Sequence, residues 1–164
     1  MCSCSEFEHL EFLRKVVSRR IKESHALKQS MNVIAKHPEG EHKLYRCGEC
    51  GQLWQGSRAW NWGNEEYLFR VSRVDVDSWK SEVFVQPDEL LIFTAVMDDY
   101  ISQNAFTDRG FLCNTPDCGR KAVLGTANCL RHHIESLQRV GNLPPDPKGR
   151  WFHPYVRENI VLDL

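Results

Sequence analysis

Long apolar runs are missing from this chain. A membrane-spanning helix needs roughly 18 or more consecutive apolar residues, and the longest apolar-rich stretch, Leu90 to Met97, is interrupted by Thr94 and flanked by acids. Glycine and proline are also sparse, at ten and seven of 164 residues, which excludes collagen-like and low-complexity chains. Net charge is nearly absent. With 21 Lys+Arg against 22 Asp+Glu the formal charge is −1, so the whole molecule lacks the basic field that gives nucleic-acid binders their sequence-independent affinity. The start, Met-Cys-Ser-Cys-Ser-Glu, has neither a basic stretch nor an apolar one, so no secretory signal is read and a cytoplasmic location is expected. No glycine-rich phosphate loop, Ser-His-Asp arrangement or internal repeat is visible.

What the chain does have is a globular composition, 41% hydrophobic and 26% charged, at a length that suits one domain over residues 1–164. Its charge is unevenly spread. Residues 1–46 hold nine Lys+Arg and six Asp+Glu (+3), residues 47–112 five and eleven (−6), and residues 113–164 seven and five (+2). The acidic middle favours a basic protein partner over nucleic acid.

Apolar spacing outlines the elements. Ser5-x-x-Glu8 has the form of a capping box, and Phe7, Leu10, Leu13, Val17 and Ile21 follow at helical intervals, predicting a helix from Ser5 to Lys28 with a charged, solvated outer face. Leu44–Arg46 and Leu53–Gln55 flank Cys47-Gly-Glu-Cys50-Gly51 as two short strands around a knuckle. Alternation at Tyr67, Phe69 and Val71 predicts another strand, as does Glu82 to Val85. Pro87-Asp88-Glu89 opens a second helix to Asn104, and a third spans Ala127 to Val140. The fold class expected is α+β, a small antiparallel sheet with about three helices, pinned by one or two structural zinc ions. Its sub-regions are the N-terminal helix (1–46), the knuckle, sheet and helix (47–112), and a C-terminal knuckle and tail (113–164).

Seven cysteines cannot all pair within one chain, and in a reducing compartment metal ligation is their better use. Cys113-x4-Cys118-x10-Cys129-x2-His132 supplies three thiolates and an imidazole, one pair on a tight turn and the other at a helix start, the donor set of a closed tetrahedral zinc site. His133 competes with His132 for the fourth place. The glycine after Cys118 suits the knuckle turn. Cys47-x2-Cys50 is half of a second site, and Cys2 and Cys4 remain to complete it; the helix dipole expected behind them would favour their thiolates. Two other partitions stay open: Cys47 and Cys50 joining Cys113 and Cys118, or His37 or His42 replacing the N-terminal pair.

The segment Cys113, Cys118-Gly119-Arg120, Cys129-Leu130-Arg131-His132 resembles the small zinc knuckles that accompany many phage and bacterial proteins, and Cys47–Gly51 resembles half of a zinc ribbon. The first resemblance covers about twenty residues and implies a structural zinc. His132-His133, Asn142 and His153 look like a stretched HNH nuclease motif. Against it stand the Pro-rich loop between Asn142 and His153, the missing second cysteine pair, and zinc's claim on His132. No His-x-Glu stands with a Pro-Cys-x-x-Cys partner, which removes the zinc deaminases.

Three of five tryptophans lie in Trp54–Trp62. Trp54 is expected to pack beneath the knuckle, and Trp60 and Trp62, if exposed, form a contact surface, tryptophan being enriched at binding hot spots. The function expected is therefore a non-enzymatic zinc protein that binds a protein partner, of the immunity-protein or adaptor kind; the alternative is a divergent HNH-type nuclease or nucleic-acid-binding zinc protein.

Overall fold

The computed structural model describes residues 2–164. It is α+β, and the chain divides into two compact units. The first comprises the residues up to Leu91 together with Pro147–Ile160, the second Ile92–Asp146 with Val161–Leu164.

In the first unit, α1 (Arg14–Lys28) leads into an antiparallel meander of β1 (Met31–Lys36), β2 (Lys43–Cys47), β3 (Leu53–Ala59) and β4 (Glu65–Arg70) in that spatial order. The strands at 44–46, 53–55 and 67–71 are thus realised. Register pairs Tyr45 with Trp54, Trp54 with Arg70 and Gly56 with Leu68. Because side chains alternate across a strand, Tyr45, Cys47, Trp54 and Leu68 share one face and Leu44, Leu53, Gln55, Tyr67 and Phe69 the other. Each face has its own core. The first packs with Leu27, Met31 and Cys4, the second with Trp79, Phe84, Leu90, Phe152 and Tyr155. Both faces are covered, so β3 is buried at every position but Arg58 and reads in sequence as no clean alternation.

Two expected elements differ. Residues 5–13 are not helical: a 3-10 turn covers Cys4–Glu6 and α1 starts at Arg14. The apolar residues of this stretch are taken up by tertiary partners. Phe7 meets Trp54 edge-on at 6.3 Å, Leu10 is buried with its carbonyl accepting from Tyr155 Oη at 2.7 Å, and the Glu8 carbonyl accepts from Arg20 Nη2 at 3.0 Å. Such packing outweighs the few tenths of a kcal/mol per residue that helix propensity contributes. Residues 82–85 form no strand. They follow α2 (Val76–Ser81), capped by Asp75 accepting from the Ser78 amide at 2.9 Å, and only Phe84 bridges, to Arg150.

α3 (Pro87–Gln103) matches the expected second helix, and the boundary between the units falls within it. In the second unit β5 (Asp108–Leu112) and β6 (Lys121–Val123) form a two-stranded sheet, followed by α4 (Leu130–Arg139). α4 begins three residues later than expected because Cys129 is its N-cap. A short α5 (Arg157–Ile160) brings the described α-helices to five. No helix is long and apolar enough to cross a membrane.

Candidate metal centres

The β2–β3 turn builds the first centre. Gly51, at φ +74°, takes the left-handed conformation that only glycine adopts at no steric cost, and its amide donates to the Cys47 carbonyl at 3.1 Å, while the Cys47 amide donates to the Gln52 carbonyl at 2.9 Å. This turn carries Cys47 and Cys50. The irregular N-terminal segment then lays Cys2 and Cys4 beside them, and the donor atoms of all four lie within 4.8 Å of one another. Trp54, fully buried, packs beneath this cluster with Cys4 and Cys47.

The thiols differ in character. The Cys50 amide, ahead of opposing burial, brings the Cys47 thiol down to about 7, whereas burial pushes the Cys4 thiol up. The helix-dipole argument for Cys2 and Cys4 therefore fails: α1 starts ten residues beyond Cys4, and both N-terminal thiols are raised. Chain reversal, not a dipole, places them.

In the second centre, Cys113 and Cys118 lie between β5 and β6 and Cys129 and His132 at the start of α4. The Cys113 amide donates to the Arg120 carbonyl at 2.8 Å and the Cys118 amide to the Thr115 carbonyl at 3.2 Å. The left-handed residue of this turn is Asp117 (φ +61°) rather than Gly119. Three residues along a helix return to one face, so His132 Nδ1 reaches Cys129 Sγ at 3.4 Å and Cys113 Sγ at 3.3 Å, and Cys118 Sγ lies 3.8 Å from Cys129 Sγ. Burial raises the Cys113 thiol, but the Cys129 amide, Thr115 and His132 together bring it down to about 5. The far ring nitrogen of His132 lies 3.9 Å from Glu135 Oε2, beyond hydrogen-bond length, and Glu135 Oε1 accepts from Arg131 Nε at 2.8 Å.

These two groups, Cys2, Cys4, Cys47, Cys50 and Cys113, Cys118, Cys129, His132, could each hold a metal ion, and no cysteine is in a disulfide. The rival ligands go elsewhere. His133 Nε2 sits 2.9 Å from Tyr100 Oη. His37 and His42 lie at the β1–β2 turn, their rings 5.9 Å apart, with His42 Nδ1 2.9 Å from Ser57 Oγ.

Burial, followed by nearby His37, lowers the pKa of His42 from its ordinary value. The folded state then holds the ring neutral where the unfolded chain takes up a proton. Stability is therefore expected to fall as pH drops through about 6.5 toward the folded value. His9 is lowered by burial in the same direction. Denaturant midpoints of wild type and His42→Gln at pH 7.5 and 5.5 isolate the His42 share: the variant should lose less on acidification, and equal losses would exclude His42 as a source.

Of the HNH-like residues, His132 directs Nδ1 at two thiols, His133 is engaged by Tyr100, and Asn142, just past the end of α4, donates its amide to the Leu137 carbonyl at 2.9 Å. His153 belongs to the other unit, in a cis peptide with Pro154. Trp60 is 71% exposed on a 3-10 turn (Trp60–Trp62), while Trp62 is half-buried, its indole N–H donating to Ser18 Oγ at 2.8 Å. No family model, curated protein or solved structure matches the chain.

Proposed function

We propose that this is a non-catalytic binding protein whose two units are each stapled by a structural zinc ion, and which meets a protein partner through the surface around Trp60. The carrying observation is the second cluster's geometry. Zinc bonds of about 2.3 Å to sulfur and 2.0–2.1 Å to nitrogen give tetrahedral edges of about 3.8 Å between sulfurs and about 3.5 Å between sulfur and nitrogen. The separations found are 3.8, 3.3 and 3.4 Å. Each cluster offers four donors, which fills a tetrahedron and leaves no coordination position for a substrate. At the first cluster the buried Trp54 indole N–H has no hydrogen-bond partner among the described residues and packs with Cys4 and Cys47, a spare donor beside the sulfurs. Cysteines used as metal ligands rather than in disulfides suit a reducing compartment such as the cytoplasm. An immunity protein or adaptor is the kind of small binder this describes.

Elemental analysis of the reduced protein is expected to give two zinc ions per chain, and the Cys2→Ser/Cys4→Ser double variant one. Cobalt substitution should produce the intense visible bands of tetrahedral thiolate coordination. A metal-free, cooperatively folded protein would end the reading. The partner is tested by photo-crosslinking from Trp60→p-benzoylphenylalanine in the native cytoplasm: adducts should be destroyed by protease and untouched by nuclease. An absence of polypeptide adducts counts against a protein partner.

A further inference from the structure

The outer face of α1 is more than a solvated charged surface. Lys15, Ser18, Arg19 and Lys22 recur at spacings of three and four, so they form one stripe, and with Arg14 they make an open, basic face of α1. Neither Lys15 nor Lys22 pairs with a carboxylate among the described residues, and Arg19 reaches only Glu23, at 3.6 Å and 69% exposed. The helix carries a single acid, Glu23. Trp62 ties the tryptophan turn to this stripe, since its indole donates to Ser18 and the Arg14 guanidinium lies over its ring at 4.9 Å. Trp60 stands two residues away in the same turn, with most of its surface in solvent.

We infer that this basic face is the partner-binding surface and that it takes an acidic polypeptide segment, one whose carboxylates meet Lys15, Arg19 and Lys22 while an apolar side chain covers Trp60. The inference rests on the protein-partner reading above and gives the partner's charge. Its sign is opposite to the one suggested by the acidic 47–112 segment, because segment totals do not show which charges gather on one face.

Size decides between a protein and a nucleic acid. At a rise of 1.5 Å per residue, Lys15 to Lys22 spans about 10 Å. Nucleic-acid affinity grows with the number of phosphates neutralised along a track. A stripe this short is no track, but it matches one cluster of carboxylates on a protein. Trp and Arg together are also the residues that dominate protein interfaces. Arg14, already stacked on Trp62, loses little side-chain freedom on binding.

The test uses the zinc-loaded full chain and two fluorescent probes of equal charge: a Glu-rich peptide about a dozen residues long with one phenylalanine, and a thymidine oligonucleotide. The peptide should bind saturably, and both Lys15→Glu/Lys22→Glu and Trp60→Ala should weaken it about tenfold or more. These side chains are exposed, so unchanged thermal melting should confirm that the variants remain folded. Tighter binding of the oligonucleotide, lost in the same variants, would reassign the face to nucleic acid and overturn the inference. So would the binding of neither probe, or peptide binding indifferent to the substitutions. If polypeptide adducts from position 60 persist undiminished in the Lys15→Glu/Lys22→Glu background, the acidic-partner inference fails while the binding-protein reading stands. Loss of polypeptide adducts already in the unsubstituted background would bring down that reading itself.

Discussion

Replacing Cys129 by serine is expected to unfold the second unit while leaving the four-stranded sheet of the first intact. The unit holds few buried apolar residues, among them Phe93, Met97, Ala122, Val123, Ile134 and Leu143, and two of its buried side chains are the ligands Cys113 and Cys129 themselves. Its sheet has two strands, with an irregular register between Asp108 and Leu112 and every residue of β5 exposed. Such a hairpin is marginal alone, and units of this size commonly need a metal or disulfides to fold. Structural zinc contributes about 10–16 kcal/mol in comparable small sites, more than a typical domain's whole stability of about 5–15 kcal/mol. The first unit has two cores and is not so dependent. In amide-resolved hydrogen exchange, Cys129→Ser should abolish protection in α4 and β6 and retain it in β3 and β4. Retained protection in α4 without metal would show that the unit folds on packing alone.

The same contrast explains which features were legible in the linear chain. Ligand spacing is local chemistry: Cys113-x4-Cys118 and Cys129-x2-His132 each describe one turn, and two such turns closing on one another requires only the chain between them. Helix α3 was legible for a similar reason, with proline and two acids in its first turn. The 5–13 segment was not, because its Phe7 and Leu10 serve partners far along the chain, Trp54 and Tyr155, and spacing by three and four is mimicked by a stretch that buries one residue in three. β1 went unseen because its register shifts between Val33 and Ala35, so no simple alternation survives. The basic stripe of α1 was visible as residues but not as a site. Its tie to the tryptophan turn exists only in the fold, where the Trp62 indole donates to Ser18.

Gln55→Leu should be the most damaging substitution away from the metal ligands. Gln55 is fully buried in the middle of β3, an unfavourable place for an amide unless every polar group finds a partner. Here they do. Oε1 accepts from Trp79 Nε1 at 2.8 Å and from the Phe84 amide at 2.9 Å, and Nε2 donates to the Phe84 carbonyl at 3.0 Å and Ser57 Oγ at 3.1 Å. One side chain thus replaces the ladder that residues 82–85 fail to form as a strand. Leucine fills a similar volume and leaves the Trp79 N–H and both backbone groups of Phe84 without partners, at about 1–3 kcal/mol each. The sum, on the order of 3–9 kcal/mol, consumes a large share of ordinary domain stability. Gln55→Glu separates lost hydrogen bonds from lost packing. The carboxylate keeps both acceptor contacts but cannot donate to Phe84, and burial raises its pKa above the unfolded value. Its folded state therefore binds the extra proton, so relative to wild type the Glu variant should regain stability as pH falls from about 8 to 6, while the Leu variant should not. Urea midpoints across that range measure both. A Leu variant within about 1 kcal/mol of wild type would mean that Trp79 and Phe84 find water or other partners, and that Gln55 does not organise this core.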